Sequence, residues 1–215
     1  MTVTVEIPMS LAEQAYLELR DRLVMLRIPP GSPINDEHIA AELRIGRTPV
    51  REALKRLETE RLVVSYPRRG TFATEVQITD LGHLTEVRQH LEPLAAACAA
   101  RRASTQHKLV LTGLLDELDA ATDADDEELI RLDLRLHRAL YAATSNPYLQ
   151  DTLVRYDNLA TRIWCLFLDR LPGLAGHIGE HGPLVRAVLA GDEDQASLLA
   201  TEHVTGFEAA IRALL

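Results

Sequence analysis

Cysteines, long apolar runs and a leader-like start are what this 215-residue chain has least of. Its two cysteines, Cys98 and Cys165, lie far apart in apolar surroundings. That argues against a disulfide framework or a thiolate zinc site and predicts buried, inert thiols. No window approaches the roughly 20 consecutive apolar residues that a membrane-spanning helix requires. The first ten residues have neither a basic start nor an apolar core. A cytoplasmic protein with no membrane partner is expected. What is there is ordinary globular composition, 47% apolar and 26% charged, which excludes disorder throughout and allows one large domain or two small ones.

The net charge of −9 is unevenly spread. Residues 1–75 carry 11 basic and 11 acidic side chains, whereas residues 76–215 carry 12 basic and 21 acidic ones. Two domains of different electrostatic character are expected, divided between 75 and 76. Within the first, residues 44–69 hold eight Lys or Arg against Glu52, Glu58 and Glu60. A local basic excess on an acidic protein suggests a polyanion-facing patch, although a charge run is more often a solvated helix face.

Periodicity predicts a first helix over 10–27, with Ser10 and Glu13 spaced as a capping box, stopped by Pro29-Pro30-Gly31. A short second helix over 36–43 and a third over about 48–60 follow, separated by the turn Arg44-Ile45-Gly46. Then two β-prone runs, 62–65 and 71–74, flank Tyr66-Pro67-Arg68-Arg69-Gly70, which predicts a hairpin with a basic tip. Three helices and a ribbon make a winged helix-turn-helix. Its third helix buries Val50, Ala53, Leu54 and Leu57 and leaves Arg47, Thr48, Arg51 and Lys55 facing out, as a recognition helix needs in a major groove. Glu52 is expected to pair with Arg56.

The run Arg47-Thr48-Pro49-Val50-Arg51-Glu52-Ala53-Leu54, with Pro30-Gly31 before it and Arg69-Gly70 after it, resembles the DNA-binding domain of GntR-family bacterial transcription regulators over about residues 11–74. The resemblance implies double-stranded DNA as partner, with contacts from Arg47, Thr48, Pro49, Arg51 and Lys55 and from the wing residues Arg68, Arg69 and Gly70. Gly46 and Arg61 depart from the pattern, which usually has Ser or Thr at the first and Gly at the second. At Arg61 a large side chain stands where positive φ is often wanted.

Residues 76–215 read as an all-α bundle of six helices, over 79–103, 105–121, 126–144, 147–169, about 182–190, and 192–214. Breaks are expected at Ser104, 123–125, Ser145-Asn146-Pro147, Pro172-Gly173 and Gly191. Asp133 and His137 are spaced i,i+4, so they share a helix face, and His181 and His203 sit among apolar residues that bury them. Three imidazoles and a carboxylate suit zinc first, then nickel or manganese. The competing reading is hydrogen-bonded core histidines, which are commoner than ligands. His177, also i,i+4 from His181, is a rival ligand, but Gly176, Gly179, Gly182 and Pro183 oppose a continuous helix there.

Asp133-Leu134-Arg135-Leu136-His137, with Ser145-Asn146-Pro147, Glu180-His181, Gly191-Asp192 and His203, is similar to the FCD effector-binding domain of the FadR subfamily, in its six-helix, VanR-like form, over about residues 79–213. The resemblance implies a divalent metal on Asp133, His137, His181 and His203. Arg88-Gln89-His90-Leu91-Glu92-Pro93 resembles the opening helix of that domain, where an arginine turns inward to a ligand carboxylate; the alternative is a surface Arg88–Glu92 pair. Asn158 and Arg162 share a helix face but carry less weight.

These readings converge on a metal- and small-molecule-responsive regulator, a homodimer on a pseudo-palindromic operator, with repression relieved by a small carboxylate-bearing effector. The alternative is a small metal-dependent hydrolase using the His/Asp site, with Glu180 as general base.

Overall fold

The computed structural model describes residues 9–121, 124–170 and 174–215. The turns expected at Asp123 and at Pro172-Gly173 fall outside those residues. The chain divides into two compact units, the first ending at Val76 and the second starting at Gln77.

In the first unit, helix α1 (Leu11–Val24) starts at Ser10, whose side chain accepts the Glu13 N–H. The expected box is half made, because the Glu13 carboxylate turns instead to Arg56 of α3. Helices α2 (Asp36–Leu43) and α3 (Arg47–Thr59) are separated by Arg44, which sits in the left-handed region at φ 55. Val50, Ala53, Leu54 and Leu57 of α3 are buried, where α3 packs on α1 and α2. Strands β2 (Val63–Tyr66) and β3 (Gly70–Ala73) form the expected hairpin. A short strand, β1 (Pro33–Ile34), joins β3 on its other edge, so the wing is a three-stranded antiparallel sheet in the order β1-β3-β2. A two-residue strand beginning with proline has too little pattern to be read in advance. The expected Glu52–Arg56 pair does not form. Arg56 lies 3.5 Å over the Tyr16 ring and pairs with Glu13 and Glu60, because stacking on a buried aromatic covers its apolar stem.

The second unit contains α4 (Asp80–Arg102), α5 (Thr105–Ala120), α6 (Asp126–Ala143), α7 (Pro147–Cys165), α8 (Leu174–Gly179), α9 (His181–Ala190) and α10 (Glu193–Arg212). The six expected segments are all helical, and α8 is an additional short helix. The fourth stops at Cys165 rather than continuing to residue 169. There the Leu166 and Phe167 N–H groups close onto carbonyls three residues back, tightening the chain towards the 3₁₀ turn at Leu168–Arg170. Helix α10 packs along α4, α5 against α6 and α9, and α6 against α7 and α8. Leu111, Leu132, Leu136, Leu153, Val185 and Val188 are among the leucines and valines of the shared core. Side-chain caps by Ser104, Asp125, Asn146 and Asp192 set the starts of α5, α6, α7 and α10. At Gly191 the turn between α9 and α10 needs φ +78, which only glycine adopts freely.

Candidate functional site

The outer face of α3 and the wing share one surface. Arg47, Thr48, Arg51, Lys55, Arg68, Arg69 and Gly70 are all exposed, and Pro49, in the first helical turn, is half-buried. A groove of about 310 Å³ runs between them, lined by Asp36, Arg51, Lys55 and Gly70 among others. Gly70 holds φ +94 with open space where a side chain would stand, so the wing edge offers bare backbone for close approach. Arg69 lies over the Tyr66 ring. Two acidic partners were not anticipated. Arg51 Nε donates to Asp36 at 2.6 Å, and Arg47 donates to Asp36 and to Glu37. Asp36 opens α2, and no helical periodicity links it to α3; only the turn at Arg44 brings them together.

In the bundle, α6 supplies Asp133 and His137, α9 opens with His181 and α10 supplies His203, all four side chains almost wholly buried. Their ligand atoms lie within 4.8 Å of one another. His137 Nε2 is 3.2 Å from His181 Nε2, 3.3 Å from His203 Nε2 and 3.8 Å from Asp133 Oδ1. The opposite nitrogens are each held by an oxygen: His181 Nδ1 by the Ile178 carbonyl, His203 Nδ1 by Glu180 Oε2 and His137 Nδ1 by the Tyr141 hydroxyl.

A carbonyl and a carboxylate only accept, so His181 and His203 carry their proton on Nδ1 and turn an Nε2 lone pair inward. His137 Nε2 has at most one proton for those two lone pairs. Asp133 Oδ1 has no hydrogen-bond partner among the described residues. Burial pushes His181 down to about 4 and His137 and His203 well below the ordinary imidazole range, with His181 the next influence on both. These rings are therefore neutral, the form a metal binds. Burial, then Asp157, pushes the Asp133 carboxyl well up. Crowded lone pairs beside a buried carboxylate with no donor are what a divalent cation would relieve, so this nitrogen-and-oxygen set fits zinc, nickel or manganese. The outward partners match the usual orienting shell of metal-bound imidazoles. Tyr141 lies i,i+4 from His137, so it could have been found from spacing.

The break anticipated around Gly176 to Pro183 is real. Helix α8 ends at Gly179, α9 begins at His181, and Pro183 falls in the first turn of α9, where its missing N–H costs nothing. His177 therefore does not join the four. Its ring stacks 4.2 Å from that of His203, and its Nδ1 faces Glu180. His177, Glu180 and His203 form a second, looser group of possible ligands.

Arg88 is turned inward and buried, beside Asp133, His137 and His203 in a cavity of about 20 Å³. Its Nε donates to Glu92 and its Nη2 lies 3.5 Å from Asp157. The i,i+4 pair with Glu92 thus forms, but in the interior. Burial raises Asp157 to about 7, and its Oδ2 has no hydrogen-bond partner among the described residues. Asn158 and Arg162 are buried too, Asn158 facing Arg138. Cys98 and Cys165 are free, and burial pushes the Cys165 thiol up to about 12, consistent with an inert thiol. Glu180 faces the Nδ1 edges of His177 and His203, away from the converging nitrogens, which is the wrong place for a base acting on metal-bound water.

No helix among the described residues is long and apolar enough to cross a membrane. The family model for bacterial regulatory proteins of the gntR family matches residues 11–73, and that for the FCD domain matches residues 83–206. The Nta operon transcriptional regulator of Aminobacter aminovorans is 36% identical over 124 residues, 58% of this chain and 59% of its own length. The uncharacterized regulator YdhC of Bacillus subtilis is 28% identical over 68% of this chain and 66% of its own, so both matches span somewhat less than two thirds of these relatives. The probable D-xylose utilization operon transcriptional repressor of Paenarthrobacter nicotinovorans is 27% identical over 88% and 85%. Among solved structures, E. coli McbR/YncC superposes with a TM-score of 0.81 at 24% identity, over 96% of this chain and 99% of that one, which supports the fold. The chain belongs to the GntR family of bacterial regulatory proteins, with an FCD domain in its second unit.

Proposed function

We propose that this regulator senses a small molecule through a divalent metal, zinc most readily, held by Asp133, His137, His181 and His203. The observation that carries the reading is the convergence of three Nε2 atoms whose Nδ1 partners are all turned outward. A metal bound there would supply Lewis acidity that a carboxylate-bearing effector could engage. Arg88 lies in the same cavity, and its Nη2, at the limit of contact with Asp157, is the donor such a ligand would take. A homodimer on a pseudo-palindromic operator, through Arg47, Thr48, Pro49, Arg51, Lys55, Arg68, Arg69 and Gly70, is the DNA-bound state. Repression is the sign favoured by relatives named as repressors, and the effector is proposed to relieve it. The effector acts only as far as it binds the DNA-competent and DNA-free states with different affinity.

One observation favours a second reading, in which the metal only stabilises the bundle: Arg88 already has two carboxylate partners. Elemental analysis after purification without chelators, followed by gel retardation of promoter fragments across a panel of organic acids, separates the two. Sensing predicts stoichiometric metal and acid-dependent release from DNA. A structural metal predicts equal retention with every acid, and absence of metal refutes both.

A further inference from the structure

Arg47 and Arg51 both project from the first turns of α3, but Asp36 holds them differently. Arg51 gives its Nε to Asp36 Oδ2, and its two terminal nitrogens have no partner among the described residues. Arg47 gives its Nη1 to Glu37 and its Nη2 to Asp36, so both ends of its fork are occupied. A guanidinium anchored by Nε is held with its parallel Nη donors pointing away from the anchor. That is the geometry that meets O6 and N7 of a guanine in the major groove. The Arg51 side chain is 60% exposed, whereas that of Asp36 is only 22% exposed, so the anchor sits behind the reader. Hydrogen bonding from Arg51, ahead of the contribution of Arg47, holds the Asp36 carboxyl below its ordinary range.

We infer that Asp36 is a specificity-determining positioning residue, which presets Arg51 to read one guanine while leaving Arg47 to be released onto the phosphate backbone. The inference rests on α3 being the DNA-reading helix. It makes an unusual demand on sign. Removing a carboxylate from a DNA-facing surface ordinarily strengthens binding to any duplex. Removing this one should weaken discrimination.

The test uses the full-length protein and duplexes that it selects from a randomised pool. Anisotropy titrations then follow each base pair substituted in turn. Asp36→Ala is expected to lose roughly 5- to 100-fold of preference at a single guanine, with non-specific affinity unchanged or higher. Arg51→Ala should lose preference at that same base pair, and Arg47→Ala should weaken all duplexes alike. Asp36→Asn, which keeps an oxygen to accept from Arg51 Nε, should retain most of the preference. Should Asp36→Ala fail to fold, Asp36→Ser is read in the same way. Full preference in Asp36→Ala, or a loss spread evenly over every position, overturns the inference while leaving DNA binding by α3 intact. Wild-type protein that selects no sequence removes the DNA-reading helix itself, and the inference with it.

Discussion

Arg61 sits between α3 and β2 with φ 63, a conformation that crowds any Cβ. The departure from glycine noted in the sequence therefore has a structural counterpart, since the backbone is left-handed there whatever the side chain. Arg61→Gly relieves the clash but loses more freedom on folding, for a net stabilisation of about 0.5 to 1 kcal/mol. A urea titration should show a higher midpoint with an unchanged slope; an unchanged midpoint would count against strain at this position. At the metal centre, His137 contributes the one nitrogen that approaches both His181 and His203. His137→Ala is expected to reduce bound zinc to background by elemental analysis, while leaving the N-terminal unit's DNA selectivity measurable. The residues around it were legible in part. Asp133 and His137 share a helix face by spacing alone, whereas Glu92 and Asp157 come from two other helices and have no common period with them.

Helix α6 carries both jobs of the bundle on neighbouring stripes of its surface. Asp133 and His137 look into the cavity, while Leu132, Leu136 and Leu140 belong to the core against neighbouring helices. Leu136 is fully buried, so Leu136→Ala should cost about 2 to 5 kcal/mol, read by chemical denaturation. A cost below 1 kcal/mol would mean that this face of α6 is not packed as found. Helix boundaries were readable wherever capping chemistry is local, as at Ser104, Asp125, Asn146 and Asp192. His107, which has no metal-like spacing, completes the cap at Ser104. They were less readable where tertiary contacts override propensity. Helix α8 forms over Leu174–Gly179 despite two glycines because Leu174 and Ile178 are buried.

For the whole molecule, pH and metal should act on stability in a defined direction. In the metal-free protein, burial lowers His137, His177, His181 and His203, with His181 at about 4 and His177 at about 3. Between those values and about 6.5 the unfolded chain binds more protons than the folded one, so stability rises with pH. Asp133 and Asp157, both raised by burial and Asp157 to about 7, act in the opposite sense, losing stability as pH rises through their folded values. The imidazoles outnumber these carboxyls, so chelator-treated protein should melt at progressively lower temperature from pH 6.5 to pH 4. A midpoint that climbs over that interval would show that the carboxyls dominate. Zinc at a hundredfold its dissociation constant should add about 2.7 kcal/mol to the stability of the unit that holds it, and His203→Ala should abolish that increment.

The amino-acid sequence alone determined the winged helix-turn-helix, the helical second unit and the identity of four candidate metal ligands. The first two depend on local turn chemistry, on helical periodicity and on a motif whose residues lie close together in the chain, whereas the ligand set, spread from 133 to 203, follows from the resemblance to the FCD domain. Only the tertiary structure decided that the Arg88–Glu92 pair lies in the interior beside Asp157, that Glu180 braces His203 and His177 from outside the cluster, and that Asp36 grips Arg47 and Arg51 of α3. Apart from the i,i+4 spacing of Arg88 and Glu92, which fixes their pairing but not their burial, these contacts join side chains from different elements or fix which side of a ring is engaged. That depends on how helices pack, and no spacing along one helix encodes it.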